Sequence, residues 1–468
     1  LISLGSALSR LGRAEAAVPR IEAGIGKMRV AGNRFMEAYG HFRLGRALHT
    51  LGRYEAAAEA ARDALDIVES QRAQVATEEG RAELLGAVRW YFDLYVSSAR
   101  DAHAESPEAR WVQEALLASE RARARTLLEL IKKLDLPVGA GIPEALRARL
   151  RALREEVRDL EAEQRRARAE AAPAEDIEAL EAQIIARMAE YAKLRRRVEA
   201  ADPRRAALLS APPVDLASAR DLLEPDTLAV ELYLGAGGAY AIAIGTSTAT
   251  VRSLGPQGPL DAAARKLHAD LSARNRREAG EDAAERAARI AAADDAAQAG
   301  LRALRRRLFG ALEPLLAGRR RVVIVPDGAL HYVPFAALLP EHEVVTAPSL
   351  GVLAALRARA REARGEGLAL IGDPVLGASD PRLEVRGAET SDLRLPRLTF
   401  AGAELDAIAE LVPASERVVR RGFEATRAWV LDGGLASRRL VHFATHGVLD
   451  AEEPARSGLV LSEVDAAG

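Results

Sequence analysis

Residues 438–447 read RRLVHFATHG and carry the side chain best suited to proton transfer in this chain. Leu440, Val441, Phe443 and Thr445 are apolar, β-branched or aromatic types that favour a buried, pleated strand. The run breaks at His446-Gly447, which places an imidazole at the carboxyl end of a strand, where ligands and chemistry collect in open α/β sheets. Histidine's unperturbed pKa of about 6.5 suits general acid and base work near neutrality. Gly447 has no Cβ, so its backbone N–H is open to a developing oxyanion. The same residue types also fit a capped, hydrogen-bonded structural histidine. His442 invites a metal reading with His446, since two histidines four apart share one face of a helix. On a strand the rings stand roughly 13 Å apart, at about 3.3 Å per residue, too far for one ion. No metal and no cofactor is expected.

Two further turns follow predicted strands. Pro326-Asp327-Gly328 comes after 321–325 (RVVIV), and Gly372-Asp373-Pro374 comes after 368–371 (LALI). If these strands neighbour the one ending at His446, Asp327 and Asp373 meet it at one edge. They could then line a pocket or shape the strand ends. Aspartate beside glycine or proline is also an ordinary turn device, and sequence does not separate the two roles.

The elements that must hold these residues fall into three stretches. Residues 1–133 are helical and repetitive: Leu4, Gly5, Leu8, Leu11, Gly12 and Arg13 recur 40 residues later as Leu44, Gly45, Leu48, Leu51, Gly52 and Arg53. Each copy precedes an alanine-rich helix, and Gly5, Gly45, Ala17 and Ala57 allow close helix approach. Trp90, Tyr91, Phe92, Tyr95 and Trp111 read as core between helices. Residues 134–205 open on a Pro- and Gly-rich break and continue as a helical hairpin. Leu146, Leu150, Leu153, Val157 and Leu160 mark an apolar seam on its first helix. From 206 the pattern changes. Predicted strands at 227–234 and 239–244 flank a glycine-rich turn, 260–316 is helical cover, and strand, loop and helix alternate from 319 onward. That alternation predicts a largely parallel α/β sheet with flanking helices. Residues 457–461 (SGLVL) read as one more strand.

Composition narrows the function classes. The 468 residues are 49% hydrophobic, and 66 Lys+Arg against 68 Asp+Glu leave a formal charge of −2. Neither nucleic acid nor an acidic membrane is favoured by that balance. With aromatics at 4%, stacking platforms for single strands are not expected either. No apolar run is long enough to predict a membrane span. There is no cysteine, which excludes a thiol nucleophile, a disulfide or a cysteine metal site within these residues. The abrupt ends suggest a piece of a longer protein. Absent targeting signals predict a cytoplasmic location, and heavy use of alanine and arginine suggests a bacterial source.

The first stretch resembles tetratricopeptide repeats, with a longer period and degenerate copies. Five ordered motifs resemble CHAT domains, caspase-like modules often found behind such repeats: 322–338 (VVIVPDGALHYVPFAAL), 346–353 (TAPSLGVL), 372–374 (GDP), 440–447 (LVHFATHG) and 457–461 (SGLVL). Residues 115–131 (ALLASERARARTLLELI) also resemble the segment that joins repeats to CHAT. The resemblance implies a caspase-like fold and cysteine endopeptidase activity through a His/Cys dyad. It makes His446 the base and Gly447 the oxyanion donor, and it expects a protein or peptide substrate and a regulatory protein on the repeats. Caspases place the cysteine about 50 residues after the histidine, whereas 22 residues follow His446 here. The thiol is therefore expected beyond residue 468, and these residues alone are expected to be inactive. A non-enzymatic scaffold with the same fold is the alternative. Ser462 is a poor substitute nucleophile, because it lacks the strained G-x-S-x-G elbow.

Overall fold

A computed structural model describes residues 1–72, 78–133, 144–169, 173–201, 214–276, 278–362, 365–376, 380, 382, 395, 397–435, 438–448 and 457–462. The expected breaks at 134–141 and around Pro203, Pro212 and Pro213 lie outside the described residues. The chain divides into two compact units. One comprises Leu1–Thr126, Arg151–Lys193 and Ala207–Ala355; the other comprises Leu127–Leu150, Leu194–Ala206 and Leu356–Gly468. Among the described residues no helix is long and apolar enough to cross a membrane.

The first unit begins with helices α1 (Ile2–Arg10), α2 (Ala14–Val30), α3 (Arg34–Thr50), α4 (Tyr54–Arg72) and α5 (Glu78–Glu105), and it contains most of α6 (Ala109–Lys133). The repeated glycines act as their positions suggest. Gly12 and Gly52 take φ of 75° and 73°. In each copy the arginine N–H that follows reaches back to Leu8 or Leu48 at 2.9 Å, a left-handed helix stop. A Cβ on Gly5 would fall 2.4 Å from Ile21 Cγ1, so only glycine permits that approach. Of the expected aromatic core, Tyr91, Phe92, Tyr95 and Trp111 are buried, while Trp90 is 58% exposed. Tyr91 stacks on Phe42 with ring centroids 4.4 Å apart. In the hairpin helices α7 (Glu144–Ala169) and α8 (Ala174–Ala201), Leu153, Val157 and Ile184 are buried and Glu156 pairs with Arg187 at 2.9 Å.

Strands β1 (Thr227–Gly235), β2 (Gly238–Ile244), β3 (Ala249–Gly255), β4 (Arg321–Val325) and β5 (Glu343–Thr346) form a sheet in the order β3-β2-β1-β4-β5. The hairpin pairs are antiparallel, and β1–β4 and β4–β5 are parallel. Strand β1 is buried along its length, and alternation splits its side chains between two cores. Leu228, Val230, Leu232 and Leu234 pack with α9 (Gln257–Leu271) and α10 (Ala283–Phe309), through residues such as Leu267, Leu304 and Leu308. Ala229 and Tyr233 share a core with Tyr95, Val96 and Ala99 of α5 and with Val112 and Leu116 of α6. The helical region is thus one of two covers on this sheet, a packing role that repeat periodicity does not announce.

In the second unit β6 (Leu368–Pro374), β7 (Arg417–Gly422) and β8 (Leu440–Ala444) form an all-parallel sheet in the order β7-β6-β8. Leu368, Leu370 and Ala444 pack on Ala401, Leu405 and Ala409 of α12 (Ala401–Ala409). Helix α11 (Leu350–Glu362) lies between β5 and β6 in the sequence. The expected strand at 457–461 is shorter: only Gly458–Leu459 (β10) pairs, antiparallel to Gly447–Val448 (β9).

Candidate functional site

β6 and β8 run parallel with Gly372 opposite Ala444, so their carboxyl ends lie at the same edge of one sheet. Asp373 follows the first of that pair and His446 stands two residues beyond the second. Two of the three expected turns therefore share an edge. Asp327 follows β4 and belongs to the other sheet.

His446 is half-buried, and its backbone is held in place. Its carbonyl accepts the Val460 N–H at 2.9 Å, and the neighbouring Thr445 hydroxyl donates to the Val460 carbonyl at 2.5 Å. Gly447 pairs with Leu459 and is exposed. A Cβ built on it would meet nothing nearer than Leu459 Cδ2 at 3.9 Å, so a substrate carbonyl could approach. His442 lies back on β8 and pairs through Nε2 with Glu404 of α12 at 2.8 Å. The two histidines thus occupy separate surroundings. Among the described residues no three metal-ligating side chains come together. The arrangement can move a proton and can offer a backbone donor beside it.

Asp373 is buried, and with φ of 46° it is the one non-glycine residue with positive φ among those described. Arg397 grips its carboxylate through two bonds of 2.8 and 2.7 Å, and Arg382 adds a contact at 3.1 Å. Arg382 also binds the Asp373 carbonyl at 2.9 Å and holds Asp380 below the usual carboxylate range by hydrogen bonding. Asp373 is therefore a charged anchor at the strand end. Asp327 behaves as turn chemistry would have it: one oxygen accepts the Gly328 N–H at 2.9 Å, and the other ties down the Leu234 N–H at 2.8 Å. Arg382 and Arg397 were missed in sequence because no local spacing links Arg397 to a carboxylate 24 residues away.

Ser462 is buried, and its hydroxyl is fully committed. It donates to the Gly422 carbonyl at 2.6 Å and accepts the Val375 N–H at 2.8 Å, while its own N–H binds the Ala425 carbonyl at 2.9 Å. It fastens the segment that pairs with His446 and Gly447.

Residues 298–468 match the family model of the CHAT domain. They contain β4 to β10 and all three residues expected at strand ends, Asp327, Asp373 and His446. The all-helical N-terminal region and the mostly parallel C-terminal strands fit the caspase-like class of that domain. No curated protein gives a significant match to the chain.

Proposed function

We propose that this chain carries the histidine half of a CHAT-type cysteine endopeptidase regulated by tetratricopeptide-like repeats. His446 takes a proton from a thiol and returns it to the leaving amine. The Gly447 N–H meets the oxyanion of the tetrahedral intermediate. With no cysteine among the 468 residues, the thiol comes from outside them. The supporting observation is the position of β8. Among the described strands it pairs only with β6, and Leu440 and Val441 are 60% and 40% exposed. Among the described residues no strand pairs with its other edge, and a parallel strand there ending in cysteine would bring sulfur and imidazole to one edge. Substrates are proteins or peptides, a regulatory protein binds the helical region, and the setting is a bacterial cytoplasm.

The test is the coding sequence after Gly468. A strand ending in cysteine within about 20–60 further residues, whose replacement by alanine stops peptide hydrolysis by the extended chain, is the expected result. Serine, alanine or glycine at that strand end, or a stop codon at that point, removes the enzyme.

A non-enzymatic scaffold is the second reading. It is favoured by the same missing thiol and by Ser462, whose hydroxyl is engaged on both sides and cannot serve as nucleophile.

A further inference from the structure

Helices α1 and α3 lie side by side and run the same way. A Cβ on Gly40 of α3 would fall 3.1 Å from Ile2 Cδ1 of α1, and one turn further along both helices Arg43 Nε donates to the Ser6 hydroxyl. A turn beyond that contact, four residues after Ser6 and three after Arg43, the same faces carry Arg10 and Arg46. Arg10 and Arg46 are exposed, and Arg43 is half-buried with its guanidinium over the Tyr39 ring, 5.6 Å from the centroid. Three guanidiniums therefore gather where no carboxylate among the described residues pairs with any of them. α1 has no acidic residue, and the one on α3, Glu37, is buried and held by Arg29 and Arg34. Burial is the main reason that Arg43 sits below the ordinary arginine range, and the charges of Arg46 and Arg10 add to it. Toward the start of α3 the same stripe continues through Tyr39 to Phe35, which is 55% exposed.

We propose that this cluster seats an acidic peptide segment of a partner protein, whose carboxylates pair with Arg10, Arg43 and Arg46 while a neighbouring apolar side chain rests on Phe35. The charge is complementary, and the planar guanidinium fork matches a carboxylate through two bonds. The chain already uses two arginines on one carboxylate at Glu37. The cluster is also compact: Arg43 and Arg46 are about 4.5 Å apart along the helix axis. It offers three charges, against the ~6–10 phosphate contacts of a strongly salt-dependent nucleic-acid site, so a short peptide fits it better than a strand of nucleic acid. This names the chemistry of the regulatory partner proposed above and rests on that reading for the partner's role. The cluster itself belongs to α1 and α3 and depends on no thiol.

Fluorescence anisotropy on the full 468-residue chain tests it, with a labelled Glu-rich peptide carrying one leucine as the probe and the same peptide with Gln for Glu as the control. The wild-type protein binds the glutamate peptide and not the glutamine one, and added salt weakens binding. Arg10→Glu and Arg46→Glu each weaken it by about tenfold or more. Arg20→Glu, the same charge change at an exposed arginine of α2, leaves it unaltered. The altered side chains are all on the surface, where substitution leaves the fold intact. No binding at about 1 mM peptide, equal binding of the glutamine peptide, or an equal loss in Arg20→Glu overturns the inference. So does a single-stranded oligonucleotide that binds more tightly than the peptide and responds to the same variants. The peptide measurement needs no natural partner, so it separates this seat from the wider reading. A partner protein retained equally with and without Arg46→Glu would overturn the seat and leave a partner on the helical region standing.

Discussion

Gly372 stands directly opposite Ala444 on β6 and β8, and a Cβ on Gly372 would lie 2.5 Å from the Ala444 carbonyl oxygen. The two strands close to this distance one residue before Asp373 and two residues before His446. Gly372→Ala must push β8 aside. We expect a loss of about 1–3 kcal/mol, typical of overpacking, read from denaturant midpoints at constant m-value. A neutral substitution would mean that the strands part without cost and do not fix His446.

Asp373 combines a left-handed backbone with a buried charge shared by two arginines. Asparagine tolerates that backbone but cannot offer a carboxylate. Asp373→Asn should therefore cost about 1.5–3 kcal/mol, the range for hydrogen bonds to charged groups. Arg397→Ala should cost less, because that side chain is 42% exposed. Denaturant titration of both variants checks the order; a larger loss for Arg397→Ala would contradict the anchor.

Ser462→Ala leaves the Val375 N–H without its partner and takes one of two hydrogen bonds from the Gly422 carbonyl, which keeps the Ala425 N–H. The expected effect is about 1–3 kcal/mol of destabilisation, with residual peptidase activity per folded molecule preserved in the extended chain. Loss of activity in a fully folded variant would restore a serine mechanism.

The stability of the first unit should fall as pH rises. Glu120 of α6 is buried, and its two oxygens accept the Leu350 and Gly351 N–H groups at the start of α11. Burial first, and the charge of Glu231 second, let it keep its proton in the fold up to about 8, against 4.5 for an ordinary glutamate. Between those values the folded state holds a proton that the unfolded chain has already lost. The stabilisation is complete below the lower value and gone above the higher one. Across that window wild-type unfolding should release about one proton more than Glu120→Gln. Equal slopes of stability against pH in the two proteins would contradict that shift. So would a Glu120→Gln penalty that is the same at every pH, since that would mark a plain helix cap.

Much of this was legible from residue types. The runs at 227–234, 239–244, 321–325 and 368–371 became strands because β-branched and aliphatic residues were bracketed by Gly, Pro or Asp. The close-packing role of Gly5 was local and legible, whereas the sequence left Asp327 open between a turn and a pocket, and its bond to the Leu234 N–H reaches across 93 residues. Other features depended on distant partners. Residues 457–461 paired over two residues because β9, their partner, is itself two residues long. In the alternating pattern after 319, the helix between β7 and β8 is only Arg427–Trp429, followed by a wide turn over Val430–Gly434, where Gly433 takes φ of 90°. Arg123 finds Glu231 across 108 residues and Arg397 finds Asp373 across 24, and no short-range periodicity encodes either.

In the proposed mechanism His446 activates a sulfur brought to the edge of β8 that no described strand covers. The most direct measurement is covalent labelling by a thiol-reactive peptide probe, applied to the chain extended to its natural stop codon, with and without His446→Ala. The expected result is a single adduct on one cysteine, formed about 10²–10⁴-fold more slowly in the variant, the usual contribution of a general base. No adduct, or equal labelling of the two proteins, would contradict it.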